Sequence, residues 1–578
     1  MKLLKYSEIL ARNRELGRMV KGKSYRIALL SNIVVNQLGE ILEFELRRRG
    51  INAEVLYGDY DNIVQDSIRF KDVDAAVVFY ETANLVDSLH ASAEAMTTGE
   101  LAMLAGRVEQ EMELVLDNLS EVPLVLFNRF SALLFAPDDL RDGALQRICN
   151  RLNAKLNQTV TANQLAVNMD RLLAQVGLPA AADFRQFQST KALYTIKLLK
   201  TYAEHVAPAF LSVTGRMRKV LVLDCDGTLW GGILGEDGDS QIQMNNSTRP
   251  GRIFREIQQM LKGLRRHGVL LALCSKNNPE DVDRVFAEHP DMLLRDDDWA
   301  AKKINWQDKA TNLRQISAEL NLGLDSFVFV DDSAFELGLV QDELPNVACV
   351  KVPETLSDYP AVMRHLAREF FVLTRTAEDM RKTEMYQQEQ ARGETKVQFT
   401  SLDDYLRSLG LVVRVAWNDE VALDRAAQLS QKTNQFNLTT RRYTEADMVR
   451  MLRDNSFAIA TFAVEDRYGN YGIAGLSIVC IKADIASMDT FLMSCRVIGR
   501  NVERAFFDYL INKLCEMGMV RLEAEYLRTH NNDQVSGFYD ALGFQLVFAK
   551  EGQRNYNLLL ADYQPSGINY IEVKKDVS

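Results

Sequence analysis

Short, β-branched apolar runs alternate along this chain with longer stretches in which apolar residues recur every three to four positions, the pattern of parallel strands joined by helices. Residues 25–30 (YRIALL) read as a strand, residues 35–49 as an amphipathic helix, and residues 53–57 as a second strand closed by Gly58. Further strands are expected at residues 75–80 (AAVVFY) and 124–127, with helices around residues 98–117, 138–154 and 161–175. After a break near Thr214-Gly215-Arg216 a second series begins: strand 220–223, helix 252–267, strand 269–274 (VLLALC), a helix in residues 304–316, and strand 327–330. Residues 377–393 are polar and helix-prone, with Gly393 as a stop. A third series has a strand at 412–416, helices near 420–430 and 444–453, strands at 458–465 and 472–480 flanking the turn-rich DRYGN, a strand at 487–494, and a helix at 502–517. The expectation is an α/β chain of three domains, at residues 1–215, 216–372 and 411–578, with a helical connector at 373–410 and a tail after Leu560.

Composition narrows the class. A chain of 578 residues is too long for one core. Its 47% hydrophobic and 25% charged residues describe an ordinary globular protein, without an apolar run long enough to cross a bilayer. The first residues, MKLLKYSEILARNRELG, lack the apolar core of a secretory signal, so a cytoplasmic protein without a membrane partner is expected. Seven scattered cysteines, with no C-x-x-C pair, point to free thiols rather than a zinc site or disulfide framework. The net charge of −11, without a basic block, argues against nucleic acid as a partner.

The stretch KVLVLDCDGTLWGGILGEDG, residues 219–238, concentrates the candidate chemistry. A buried parallel strand ending at Asp224 presents Asp224 and Asp226 at the carboxyl edge of its sheet, beside a turn at Gly227-Thr228. Two carboxylates and free N–H groups there suit a phosphate and Mg²⁺, although D-x-D alone also describes a polar loop. The strand at 269–274 ends in Ser275-Lys276-Asn277-Asn278, where a hydroxyl before a helix can bind a phosphoryl oxygen or serve as an N-cap. Lys309 lies on or just before a helix, and Asp331-Asp332 end the strand at 327–330 with a second carboxylate pair.

These four elements, in this order, resemble the haloacid dehalogenase-like superfamily of phosphoryl-transfer enzymes. The resemblance implies Asp224 as nucleophile and Asp226 as general acid/base, with Lys309 catalytic as well. It implies Thr228, Ser275, Lys276 and Asn277 as phosphate ligands, and Mg²⁺ held by Asp224, the Asp226 carbonyl, Asp331 and, as a second acid, Asp332. The short interval before the next helix excludes a large cap, which suits a bulky or protein-tethered substrate. LDCDGTLWGGILGEDG, INWQDKATNLRQI, SFVFVDDSAFE and QKTNQFNLTTRR together resemble the FkbH family over about residues 216–545. That resemblance implies removal of phosphate from a unit drawn from 1,3-bisphosphoglycerate and loading of its acyl group on an acyl carrier protein. Gly227 stands where many of those members have asparagine.

The first domain resembles the SGNH-hydrolase fold, which would place Ser31 and Asn128 at catalytic positions. Its G-D-S motif is here Leu30-Ser31-Asn32, and the late D-x-x-H is missing, since His205 has Tyr202 three positions earlier. A serine without a base is a poor nucleophile, so docking is expected rather than hydrolysis. In the third domain the strand at 487–494 runs into Cys495-Arg496-Val497-Ile498-Gly499-Arg500-Asn501 and a helix, a turn able to present N–H groups to a pyrophosphate. With NDQVSGFYDALGF it resembles GNAT-type acyltransferases, implying that Arg496, Gly499, Arg500, Asn532 and Tyr539 meet coenzyme A or a carrier's phosphopantetheine. Cys495, beside two arginines, is a candidate acyl carrier or a small buried residue, with Cys225 as the competing thiol.

Overall fold

The computed structural model describes residues 4–135, 141–373, 383–386, 388, 399, 401–454, 456–529 and 532–575. Most of the connector expected at 377–393, and the start of the helix expected at 138–154, lie outside the described residues. The chain divides into two compact units, residues 1–214 and 215–578. Both are α/β, and no helix among the described residues is long and apolar enough to cross a membrane.

The first unit is built on a parallel sheet of order β2-β1-β3-β4-β5: β1 (Tyr25–Ser31), β2 (Ala53–Tyr57), β3 (Ala75–Phe79), β4 (Val125–Asn128) and β5 (Gln164–Val167). β5 falls inside the stretch expected to be helical, residues 161–175, whose helix starts only at Met169. Tertiary pairing decides this: β5 joins β4 residue for residue, and the Asn163 amide donates to the carbonyls of Ser120 and Val122. At the carboxyl edge, Ser31 Oγ donates to the Phe79 carbonyl at 3.0 Å, and Tyr202 Oη donates to Asn128 Oδ1 at 2.7 Å.

A buried carboxyl lies at the same edge. Glu81 Oε2 accepts the Tyr194 hydroxyl and Oε1 accepts the Ala83 N–H at 3.2 Å, while Asn32 pairs with the Glu81 backbone. Burial raises its pKa from 4.5 to about 7 against these hydrogen bonds. A carboxyl whose folded value lies above its unfolded one stabilises the fold fully below the unfolded value and loses that contribution as pH rises through the folded one. The gap is worth about 3 kcal/mol, lost between about pH 4.5 and about pH 7. Glu81→Gln is therefore expected to gain stability relative to the native chain as pH rises from about 5 to about 8. Urea unfolding of both chains checks this; a difference that does not change with pH would show that Glu81 stays ionised.

The second unit holds two sheets. The first is parallel, of order β10-β9-β6-β7-β8, with β6 (Val220–Leu223), β7 (Leu270–Ser275), β8 (Ala301–Ile304), β9 (Phe327–Asp331) and β10 (Ala348–Lys351). Its near-continuous apolar runs reflect burial of both faces. Leu221, Leu223, Leu271, Leu273, Val328 and Val330 point into one core, and Val220, Val222, Leu270, Ala272, Phe327 and Phe329 into the other. From β6 the chain winds through β7 and β8 to one side and through β9 and β10 to the other. β6 is therefore the topological switch point, outside whose carboxyl end open α/β sheets bind ligands.

The other sheet comprises β11 (Val412–Trp417), β12 (Phe436–Asn437), β13 (Phe457–Asp466), β14 (Gly469–Lys482), β15 (Ile485–Met493), β16 (Arg521–Leu527), β17 (Gln545–Lys550), β18 (Gln553–Leu559) and β19 (Glu572–Lys575). Its order is β17-β18-β16-β15-β14-β13-β11-β19, with β12 added to β15. The hairpin expected around residues 466–470 is β13–β14. β15 and β16 are parallel, joined across the helix Val502–Glu516.

Candidate active site

Three strands deliver side chains to one point. Asp224 follows β6, Ser275 is the last residue of β7, and Asp331 is the last of β9. Lys309 opens the helix Lys309–Glu319, whose start is fixed by Asp308 Oδ1 accepting the Thr311 N–H at 2.7 Å. That anchor places the buried Lys309 Nζ 3.0 Å from Asp224 Oδ1 and 2.5 Å from Asp331 Oδ2. Burial opposes the ammonium, but Asp224 and Asp331 outweigh it and raise the Lys309 pKa above the ordinary lysine value. Burial likewise drives Asp224 and Asp331 upward, with Lys309 as the main opposing influence.

Asp226 is held differently. Its Oδ1 accepts Trp230 Nε1 at 2.8 Å and the Leu234 N–H at 3.0 Å, and its Oδ2 accepts Asn277 Nδ2 at 2.9 Å. Asn277 also donates to Ser275 Oγ at 3.1 Å. These contacts fix one rotamer of Asp226 beside the Asp224 pocket. Trp230 is a site residue that sequence reasoning missed; a tryptophan four positions after the second acid offers a donor-only N–H, which was the available signal. Thr228 is fully buried, and its Oγ1 has no hydrogen-bond partner among the described residues, which leaves it free to meet a ligand. Lys276, expected among the phosphate ligands, instead pairs with Glu336 at 2.7 Å. That carboxylate, at the start of the helix Ala334–Glu343, captures the ammonium before it can reach the aspartates.

One ligand oxygen each from Asp224, Asp331 and Asp332 lies within 4.8 Å of the others. Three carboxylates faced by one ammonium leave an excess of negative charge, and the donors are all hard oxygens, a set that fits Mg²⁺. Gly227 is part of this fit. Its φ of +64° is strained for side chains, and an added Cβ would stand 2.3 Å from Asp332 Oδ2. Gly227→Ala is expected to push Asp332 aside and cost about 1–2 kcal/mol in backbone strain. Calorimetric titration should show weaker Mg²⁺ binding by the variant, and an unchanged affinity would remove Asp332 from the metal ligands.

The mouth is lightly covered. Residues 224–248 form a flap pinned by the reciprocal Gly231–Gln243 backbone bonds and by buried Trp230. Around it, Ile233, Trp306 (70% exposed) and Phe335 (75% exposed) stand on the segments that follow β6, β8 and β9. Cys225 is fully buried, and burial with the neighbouring Asp224 charge pushes its thiol well above the ordinary value, so it is no thiolate nucleophile.

The residues expected to bind a thioester are elsewhere. The turn after β15 packs against the amino edge of the β6 sheet: Asn321 Nδ2 donates to the Cys495 carbonyl at 2.9 Å, and Cys495 Sγ lies 4.0 Å from Tyr386 Oη. Arg496 Nε donates to Ser494 Oγ, and a second N–H of its guanidinium meets Met385 Sδ. Arg500 is buried, donates to the Arg496 carbonyl and lies 4.8 Å over the Tyr471 ring. Gly499 has φ +81°, with open space around it. Asn532 is fully buried, its amide donating to the carbonyls of Asn437 and Leu527. Tyr539 is buried among Phe538, Phe544 and Tyr556. Both arginines are thus engaged within the chain, Asn532 and Tyr539 are sealed from solvent, and Tyr539 Oη has no hydrogen-bond partner among the described residues.

No family model matches the chain, and no curated protein matches it. Among solved structures, the N-terminal part of the protein BF1531 from Bacteroides fragilis, containing a phosphatase domain complexed with Mg, superposes with a TM-score of 0.56 at 24% identity, covering 64% of this chain and 100% of that one. This shared fold extends over more of the chain than the β6 sheet alone supplies. The ribosomal-protein-S18-alanine N-acetyltransferase from Escherichia coli matches 27% of this chain and 99% of its own at 15% identity and a TM-score of 0.21. The PaiA N-acetyltransferase from Thermoplasma acidophilum, in complex with coenzyme A, matches 19% and 66% at 12% identity and a TM-score of 0.16.

Proposed function

We propose that this chain is a Mg²⁺-dependent enzyme that removes the ester phosphate of a phosphorylated acyl phosphate through an aspartyl-phosphate, and that the thiol of an acyl carrier protein attacks the acyl carbonyl, expelling the other phosphate to form the thioester, as the FkbH-like motifs imply. The observation that carries the phosphatase half is the convergence of Asp224, Asp331 and Asp332 on one point, with Lys309 Nζ within 3.0 Å of Asp224. The fold shared with a Mg-bound phosphatase domain supports it.

Asp224, Asp331 and Asp332, with the Asp226 carbonyl, would hold Mg²⁺, which when bound would offset charge on the transferring phosphoryl group. An Asp224 carboxylate oxygen attacks phosphorus in line as the bond to the leaving oxygen breaks. Asp226, oriented by Trp230 and Asn277, gives that oxygen its proton. The same carboxylate then takes a proton from water, whose oxygen attacks the phosphoaspartate, releasing phosphate and restoring Asp224. Lys309 opposes the upward pull of burial on the Asp224 carboxyl, and the Thr228 and Ser275 hydroxyls would donate to phosphoryl oxygens. The thin flap and the exposed Ile233, Trp306 and Phe335 suit a substrate larger than the pocket.

A second reading, a phosphatase whose last domain binds no thioester, is favoured by the burial of Asn532 and Tyr539. Incubation with Mg²⁺, 1,3-bisphosphoglycerate and candidate carrier proteins separates the two. Phosphate release with an acyl mass on the carrier's phosphopantetheine supports loading; release without added mass leaves the phosphatase alone; no release overturns both.

A further inference from the structure

We infer that the opening between β15 and β16 is closed by the chain's own residues 436–438, so that the C-terminal sheet binds neither coenzyme A nor a phosphopantetheine arm there. The two strands pair in parallel only from Ile485↔Arg521 to Met488↔Ala524. Beyond Met488 they separate, leaving an edge of β15 and an edge of β16 facing one another, the kind of exposed ladder that an extended ligand joins by strand addition. Here the ligand is internal. β12 pairs antiparallel with Leu492 and Met493 of β15. Leu438 then spans the gap: its N–H donates to the Phe491 carbonyl at 3.1 Å, and its carbonyl accepts the Leu527 N–H of β16 at 2.8 Å.

Side chains fasten this insert. Asn532 Nδ2 donates at 2.9 Å to both the Asn437 and Leu527 carbonyls, and Thr439 Oγ1 donates to the Asp489 carbonyl at 3.0 Å. Arg441 pairs with Asp489 at 2.7 Å and with Glu525 at 2.8 Å, bridging the two strands. Phe436 packs edge-on against Phe491 and Phe538, and Asn437 and Leu438 are fully buried. At the phosphate end, the half-buried Glu503 puts a carboxylate in the first turn of the helix Val502–Glu516, where an anion would otherwise be favoured.

The same segment reaches the strand that carries the catalytic aspartate. Lys219 Nζ donates to the Lys432 carbonyl at 2.8 Å, and Asn434 Nδ2 donates to the Gly215 carbonyl at 3.2 Å. Gly215 adopts φ +68° with no room for a Cβ, which would stand 2.2 Å from the Gln431 carbonyl oxygen. Residues 431–443 are thus a joint: one side completes the C-terminal sheet, the other holds the lead-in to β6.

Hydrogen exchange and calorimetry on the full chain test this, with coenzyme A and acetyl-coenzyme A as probes. The expected results are no saturable heat with either probe and slow exchange at the Leu438 and Leu527 amides that neither probe alters. Asn532→Ala is expected to speed exchange at both amides several-fold. Saturable binding with deprotection of Leu438 and Leu527 would overturn the inference, as would exchange at those amides as fast as in an open loop. Neither readout uses phosphate release, so failure here is distinguishable from failure of the phosphatase reading.

Discussion

Asp224→Asn is expected to abolish Mg²⁺-dependent phosphate release, lowering kcat by about 10³-fold or more. The amide is nearly isosteric and can still meet Lys309, so the fold of the β6 sheet should persist, but a neutral carboxamide cannot attack phosphorus. Asp226→Asn should be almost as damaging for a different reason. Its oxygens already accept Trp230 Nε1, the Leu234 N–H and Asn277 Nδ2, so an amide there must turn an N–H toward at least one donor. Single-turnover assays separate the roles: Asp224→Asn should form no acid-stable phosphoprotein, whereas Asp226→Asn should slow both formation and breakdown. Full activity of Asp224→Asn would remove the proposed nucleophile.

The chemistry-bearing residues of the β6 sheet were legible because burial and function use opposite residue types at a strand end. Val220 to Leu223 must be apolar on both faces, so the polar residues that follow mark the edge where ligands bind. The same contrast marks Ser275 after β7 and Asp331 at the end of β9. What stayed hidden depends on contacts distant in sequence. β5 looks helical until β4 pairs with it, and β8 and β10 are short strands defined by their neighbours rather than by their own patterns. The destination of Lys276 depended on Glu336, 60 residues away. In the C-terminal sheet the turn-and-tyrosine pattern describes a sequence that can surround a thioester. It carries no information on whether Phe436 to Leu438 will enter the opening first, because that depends on pairing of Phe436 with Met493, 57 residues on, and of Leu438 with Leu527, 89 residues on.

Lys309→Met should expose how strongly the site depends on a single cation. Removing one member of a buried ionic cluster typically costs about 3–5 kcal/mol, because the remaining charges lose their compensation. Here Asp224 and Asp331 would be left without the ammonium that now opposes the upward pull of burial on both. Their folded pKa values, already raised, would rise further above the unfolded value of about 3.9. Groups shifted in this direction stabilise the fold fully below the unfolded value and lose that contribution as pH rises through the folded one. The variant's deficit should therefore be small in mild acid and grow toward alkaline pH. Mg²⁺ at millimolar concentration should recover much of it, since the carboxylates that repel one another are those that would hold the ion. Activity should fall by about 10²–10³-fold, because the phosphoryl group loses a donor placed against its developing charge. Thermal unfolding across pH, following the transition that Mg²⁺ shifts in the native chain, supplies the measurement. A variant whose deficit neither grows with pH nor shrinks with Mg²⁺ would show that Lys309 serves packing over Phe329 rather than charge balance.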